Sequence, residues 1–503
     1  MRQALYLHSF ILYCMEGLTE NRTARNYFSS GLSCLFSDAV LYCSNQTSSF
    51  YLMCYNIKYI KKKEGSFVTK LSASLRRINY RLYFALLLLG LCPTLYTTVR
   101  IFFLGQLPNE WAYSIAGQLG WVNLIYEIMN EAILLPLFYF IGQAVQDKRT
   151  FTNRLQSGLL VTGCIYSALS LVILCAAKPL LLWMAADNSI LDASASYIRI
   201  ESIANIFGML SSFTLIALVT LNRERYLYIL TAVRLVLSLL FDTVLVSTLP
   251  CSLNLGVNGI GYSNIFVNAL LFIVSLLLLS REGICVFTKQ HLEFSWMREF
   301  LKVGGLSGLE SFVRNIAYML MIVRMVNVVN EQGLYWVANG FIWGWLLLPV
   351  TQLGELIKQE IATNHSALQT HSRGYFGITA VICAVWCVTI PLWKPFMSHV
   401  LGYTDVEALF RLVLILLGFY FLYAFQNVCD ATFYALGKTN YMLFESVVTN
   451  SVYSGGAFLL YRARLWTPTL TGIALLFGIG MAFDSVVSFG AYGYLLRNRK
   501  RLL

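Results

Sequence analysis

Charged side chains interrupt segments that are otherwise apolar: Arg100, Glu127, Glu131, Arg199, Glu201, Arg234, Asp242, Glu310, Arg314, Arg324, Glu355, Asp430, Glu445 and Asp484. A charge facing lipid at the bilayer centre costs about 2.5–3.5 kcal/mol on insertion scales. Most of these groups must therefore face a cavity, one another or an interface. Glu127 and Glu131 lie four residues apart, on one helical face. Two carboxylates so placed suit a relay for a proton or Na+, because like charges at that distance favour a shared cation. Each can equally be paired with an arginine. Glu310 and Arg314 have the same spacing and suit either an intrahelical salt bridge or a gating or substrate-binding role. Asp242 is a further candidate for ion coupling. Arg199 and Glu201 read as an interfacial pair whose polar ends reach for water.

Arg100 and Arg324 stand in similar surroundings, Leu95-Tyr-Thr-Thr-Val-Arg100-Ile-Phe-Phe-Leu104 and Met319-Leu-Met-Ile-Val-Arg324-Met-Val-Asn-Val328. A guanidinium keeps its charge, so it tunes neighbouring carboxylates or binds an anionic substrate. From Arg100 to Glu131 is 31 residues, and from Arg324 to Glu355 is also 31. Without a gap these are equivalent Arg–Glu pairs. Aligning Pro136 with Pro349 breaks the match and leaves Glu355 near a helix end beside Lys358 and Glu360. Trp121 and Trp343 are candidates for a cavity wall that takes flat or cationic molecules, or for an interfacial belt.

These residues sit in an apolar chain. Of 503 residues, 57% are hydrophobic and 12% charged, and the mean hydropathy is +0.64. A soluble domain carries about 25% charged residues, so the composition is that of a polytopic membrane protein. The net charge of +12 would suit nucleic acid, but the basic residues lie mostly in short loops between apolar spans, which excludes that reading. Twelve candidate spans run over about 79–104, 112–145, 155–184, 195–221, 226–249, 255–280, 299–328, 334–361, 374–400, 406–436, 440–461 and 467–496. Lys61–Lys63, Arg76, Arg77, Lys148, Arg149, Arg281, Lys289 and Arg497–Arg501 fall on one side, with Arg462 and Arg464 as the exception. This bias places both termini in the cytoplasm and the chain in the cytoplasmic membrane.

No GxxxxGK[ST] loop offers ATP as an energy source, no HExxH offers a metal, and the five histidines are dispersed. Enzyme activity and a bound cofactor are not expected. The 12 cysteines are scattered, as small apolar residues in helices are. Residues 1–78 read as a poorly ordered cytoplasmic extension, in which the sequons at Asn21 and Asn45 are irrelevant.

Four correspondences link residues 79–285 to residues 286–503: Val99-Arg-Ile101 with Val323-Arg-Met325, Asn109-Glu110 with Asn330-Glu331, Leu221–Tyr226 with Leu436–Tyr441, and Asn258-Gly-Ile-Gly261 with Thr471-Gly-Ile-Ala474. Their common order indicates a duplication of six spans. An even number of spans relates the halves by an axis along the membrane normal. A passive receptor or scaffold needs neither the duplication nor the intramembrane charges.

Ile101-Phe-Phe-Leu-Gly105, Gly142-Gln-Ala144, Ala217–Asn222, Leu255-Gly-Val-Asn-Gly-Ile-Gly261 and Gly304-Gly-Leu-Ser-Gly-Leu-Glu310 make residues 79 to about 497 resemble the multidrug and toxic compound extrusion (MATE) family, within the wider superfamily of polysaccharide and lipid-precursor flippases. The resemblance implies an all-α protein of two six-helix bundles forming a V around a central cavity. It implies export of small, often cationic molecules by alternating access, in exchange for Na+ or H+, by a monomer whose partners are a small-molecule substrate and the bilayer. For such an exporter the coupling candidates are Glu310, which matches the family position, and Glu131, Glu127 and Asp242, read from their own spacing and depth, and the cavity candidates are Arg100, Arg314, Arg324, Glu355, Trp121 and Trp343. Two positions depart from the family. Arg100 stands where many members carry a cation-binding Asp, and Leu306 stands where a Pro is typical. Arginines in the cavity would also suit a flippase for an anionic lipid-linked or polysaccharide precursor.

Overall fold

The computed structural model of the chain describes residues 69–108, 111–221, 224–284, 286, 292–364 and 366–497. The expected N-terminal extension lies outside the described residues up to position 68, as does the basic tail from 498. The described residues from Ser74 onward form one unit, to which every helix below belongs. All regular elements among the described residues are helical. The first half comprises α1 (Tyr80–Gly105), α2 (Ala112–Gly117), α3 (Leu119–Gly142), α4 (Lys148–Trp183), α5 (Leu191–Thr220), α6 (Glu224–Leu245) and α7 (Val257–Arg281). The second comprises α8 (Met297–Tyr318), α9 (Arg324–Val328), α10 (Gln332–Phe341), α11 (Leu348–Thr363), α12 (Ser372–His399), α13 (Val406–Ala435), α14 (Thr439–Val448), α15 (Gly455–Arg462) and α16 (Leu470–Arg497).

Among the described residues, nine helices are long and apolar enough to cross a membrane, and a bent pair makes a tenth. The bend is 51° and falls between residues 332–346 and 348–363, where Pro349 cannot donate a backbone hydrogen bond to the preceding turn. The expected second span is α3, preceded by the separate turn of α2. The expected eleventh runs through α14, a π-helical segment and α15. Three π-helical segments, Met319–Val323, Ile342–Leu346 and Thr449–Ser454, all lie in the second half. Such segments widen a helix and recur at functional sites.

The side chains are distributed as in a membrane protein. Leu88, Leu171, Val172, Val388 and Leu392 are exposed, while Ser194, Ser202, Ser263, Thr379 and Asp242 are buried. In lipid the polar groups turn inward and the apolar ones outward. Asp147 starts α4: its carboxylate accepts from the backbone N–H of Arg149 at 3.1 Å and of Thr150 at 3.3 Å, and from the Thr150 hydroxyl.

The halves meet through small residues. A Cβ at Gly308 of α8 would lie 2.7 Å from the Cβ of Ala132 on α3, and one at Gly90 of α1 would lie 2.6 Å from Leu348 Cδ1 on α11. Glycine at these positions allows the helix backbones to approach closely, and the first contact brings Glu310 and Arg314 beside Glu127 and Glu131.

Candidate functional site

Two guanidinium-centred clusters lie inside the membrane-spanning part. In the first half, Arg100 of α1 is gripped by Asp242 of α6: Nε donates to Oδ2 at 2.6 Å and Nη2 to Oδ1 at 3.2 Å. Nη2 also donates to Asn264 Oδ1 of α7 at 2.7 Å, and Asn264 Nδ2 donates to Glu201 Oε1 of α5 at 2.7 Å. The Tyr96 ring lies 5.1 Å from the guanidinium carbon. Asp242 is fully buried and Glu201 nearly so. A bidentate fork of this kind fixes both position and orientation.

The second cluster straddles the halves. Arg314 Nη2 of α8 donates to Glu131 Oε1 of α3 at 2.8 Å. It lies 3.7 Å from Glu127 Oε1, and its Nε lies 3.7 Å from Glu310 Oε1 on its own helix. One cation thus faces three carboxylates, and its side chain is 41% exposed. Arg314 Nε has no hydrogen-bond partner.

Beside Arg314 opens a cavity of about 330 Å3 walled by second-half residues alone. Its acidic residues are Glu310, Asp430 of α13, Glu445 of α14 and Asp484 of α16, and Arg314 is its one basic residue. Gln426 holds the far wall together: its Nε2 donates at 2.7 Å to Glu445 Oε1 and at 2.7 Å to Asp484 Oδ2. Ser485 Oγ donates back to Gln426 Oε1 at 2.7 Å, Thr449 Oγ1 to Asp484 Oδ1 at 2.7 Å, and Ser488 Oγ to Asp430 Oδ1 at 2.7 Å. Glu445 Oε2 is buried and has no hydrogen-bond partner. A buried polar group left unpaired is costly, so a donor or a cation beside this oxygen would be stabilising. Tyr318, Tyr423, Tyr434, Tyr453 and Phe477 complete the wall, and π-helical segments supply Met321, Ile322, Thr449, Asn450, Tyr453 and Ser454. The carboxylates are spread around the wall: among the described residues no group of three or more His, Cys, Asp or Glu is arranged to hold a metal ion.

The candidate residues separate accordingly. Glu127 with Glu131 and Glu310 with Arg314 share a helical face as their spacing implied, and the packing of α3 on α8, which spacing did not foretell, brings the two pairs together. Asp242 does not join them, because Arg100 holds it in the first-half cluster. The repeated Arg–Glu pairing is overturned: Glu131 pairs with Arg314, and Glu355 pairs with Lys358 at 2.7 Å in the middle of α11. Arg324 is outside the cavity, donating through Nε to the Trp183 carbonyl at 2.9 Å. Trp121 is fully buried in the first-half core, with Nε1 donating to Gln118 at 3.3 Å. Trp343 packs edge-on against Tyr420 and Tyr423 and only its neighbour Tyr423 reaches the cavity. Glu201 is not an interfacial partner of Arg199, which donates instead to the Leu174 carbonyl at 3.2 Å. Two residues on, a helix has turned about 200°, so the two side chains leave on opposite faces.

Missing from the expected site were Gln426, Asp430, Glu445 and Asp484. Their signal was present but scattered: Gln426 and Asp430, Glu445 and Thr449, and Asp484 and Ser488 each have four-residue spacing on one helix.

No protein-family model matches the chain, and no curated protein matches it in sequence. Its structure is similar to an inward-facing multidrug resistance MATE family transporter of the MOP superfamily, at 18% identity and a TM-score of 0.63, covering 87% of this chain and 98% of that one. A point variant of the Vibrio cholerae MATE transporter VcmN matches at 15% identity and a TM-score of 0.63, covering 86% and 98%. A MOP superfamily transporter from Pyrococcus furiosus, described as having a binding pocket of reversed polarity, matches at 16% identity and a TM-score of 0.61, covering 85% and 98%. At these identities the likeness is one of architecture, and the fold of this chain is the MATE transporter fold.

Proposed function

We propose that the chain is a secondary active transporter that exports small organic cations by alternating access, in antiport with Na+ or H+. The supporting observation is the acidic cavity: four carboxylates, one arginine and an aromatic wall surround about 330 Å3. Carboxylates with aromatic faces suit an amphipathic cation, and a volume of about 300 Å3 or more is that of a small-molecule site. Glu310 and the Gln426-linked pair Glu445 and Asp484 would hold the cargo or the coupling ion in turn. Glu127 and Glu131 would act through Arg314. The basic loops support insertion in the cytoplasmic membrane with both termini inside.

An anionic lipid or polysaccharide precursor would need cationic groups free in the cavity, as a pocket of reversed polarity would supply. Arg100 is saturated by Asp242 and Arg324 lies elsewhere, which favours the cation reading. The test is reconstitution in liposomes, followed by efflux of a fluorescent organic cation under an imposed Na+ or pH gradient. Gradient-dependent efflux is expected. Movement of an anionic lipid precursor with no cation flux would replace this reading with the flippase.

A further inference from the structure

The junction between α3 and α8 places the cavity's one basic residue at its edge. Arg314 makes one close contact, to Glu131 at 2.8 Å; its other carboxylate neighbours, Glu127 and Glu310, stand at 3.7 Å. Its Nε has no hydrogen-bond partner, and the same side chain lines the cavity together with Glu310 and Asp484. Across that cavity Glu445 is 4% exposed and keeps Oε2 unpaired. Glu131 and Glu127 belong to the first half and do not line the cavity. A long side chain held by one close contact also borders the cavity's carboxylates, which offer it a second set of partners.

We propose that Arg314 is a tethered competitor for the far wall of the acidic cavity, held at the cavity edge by Glu131 and Glu127 of the other half. This rests on the reading of the cavity as a cation site and adds its regulation. With the guanidinium on Glu131 and beside Glu310, the far-wall carboxylates Asp430, Glu445 and Asp484 are free for a cation. With the guanidinium turned toward Asp484, they are compensated by the chain itself. Cavity occupancy and the ionic tie between the halves are then linked: an entering cation drives Arg314 onto α3, and loss of the tie returns Arg314 to the cavity. By reciprocity of linked equilibria, strengthening either one strengthens the other.

The experiment is a double-mutant cycle on the full chain in lipid nanodiscs, reading the dissociation constant of tetraphenylphosphonium and, separately, the Na+-dependent shift in melting temperature. Arg314→Gln removes the competitor and is expected to tighten cation binding about tenfold, the effect of one moderately screened charge. Glu131→Gln frees Arg314 and is expected to weaken binding about threefold or more. The double variant is expected to match Arg314→Gln, because Glu131 acts only through the arginine. Equal weakening by Glu131→Gln in both backgrounds would mean simple loss of negative charge and overturns the proposal. So does an Arg314→Gln protein that binds neither cation more tightly. If tetraphenylphosphonium binds none of the variants while Na+ stabilisation keeps the expected order, the organic-cation reading fails and the competitor stands. Should Arg314→Gln not fold, Arg314→Met, also neutral and of similar length, carries the same expectations.

Discussion

Arg100 and Arg314 are both guanidiniums within membrane-spanning helices, each among carboxylates, yet their surroundings differ. Arg100 sits in a closed first-half cluster, with two bonds to a fully buried Asp242 and a third to Asn264. Arg314 is half-exposed, has one close partner, and borders a cavity with four acidic residues and no other basic one. A buried bidentate pair is costly to break because the survivor is stranded. A half-exposed one is screened and cheap to rearrange. Residue type and membrane depth are thus not enough to make an arginine functional. What separates a locked arginine from an available one here is whether the partners are saturated.

The largest expected effect tests the closed cluster. Arg100→Ala strands the Asp242 carboxylate, and a loss of about 3–5 kcal/mol of stability is expected from denaturant unfolding in detergent. Removing the partner as well, in Arg100→Ala/Asp242→Ala, should recover most of it. No recovery would mean that the pair is not what holds the cluster. On the open side the balance reverses. Glu310→Gln should leave stability within about 1 kcal/mol while lowering gradient-driven efflux about tenfold or more. Unchanged efflux would remove Glu310 from the coupling machinery.

Between these lies a polar contact joining the halves without charge. Gln118 Nε2 donates to Asn327 Oδ1 at 2.8 Å, and Asn327 Nδ2 donates back at 3.2 Å and to the Met184 carbonyl at 2.9 Å. Asn327→Ala should cost about 1 kcal/mol in the same unfolding assay, and an effect as large as that of Arg100→Ala would make the neutral contact, rather than the charged cluster, the main tie. The smallest effect is expected outside the membrane, at Asp147. Its bond from Thr150, then those from the backbone, hold its carboxyl below the ordinary value of 3.8. A depressed pKa contributes stability above that ordinary value and loses it as pH falls through the lower folded one. The difference in melting temperature between wild type and Asp147→Ala should therefore be constant from about pH 5 to 8 and shrink below about pH 4.

Much of this architecture was legible along the chain. The apolar runs located the spans, because a bilayer fixes their length. The four-residue spacing of Glu127 with Glu131 and of Glu310 with Arg314 placed each pair on one face, because helical periodicity is local. The matched surroundings of Arg100 and Arg324 were a poorer guide. Similar neighbours in sequence led one arginine to Asp242 and the other to a backbone carbonyl, since partners come from other helices. The equal 31-residue separations failed for the same reason. Asp430, Glu445 and Asp484 were legible as intramembrane charges and Gln426 was not singled out, but nothing in any one segment says that α13, α14 and α16 converge.

Composition and periodicity by themselves determined a polytopic helical protein with more intramembrane charge than a passive bundle needs, because both follow from the hydrophobic cost of exposing polar groups to lipid. Tertiary structure alone decided which charges cancel and which remain available. Electrostatic pairing falls off over a few ångströms, and only the packing of α3 on α8, and of α13, α14 and α16 on one another, sets those distances.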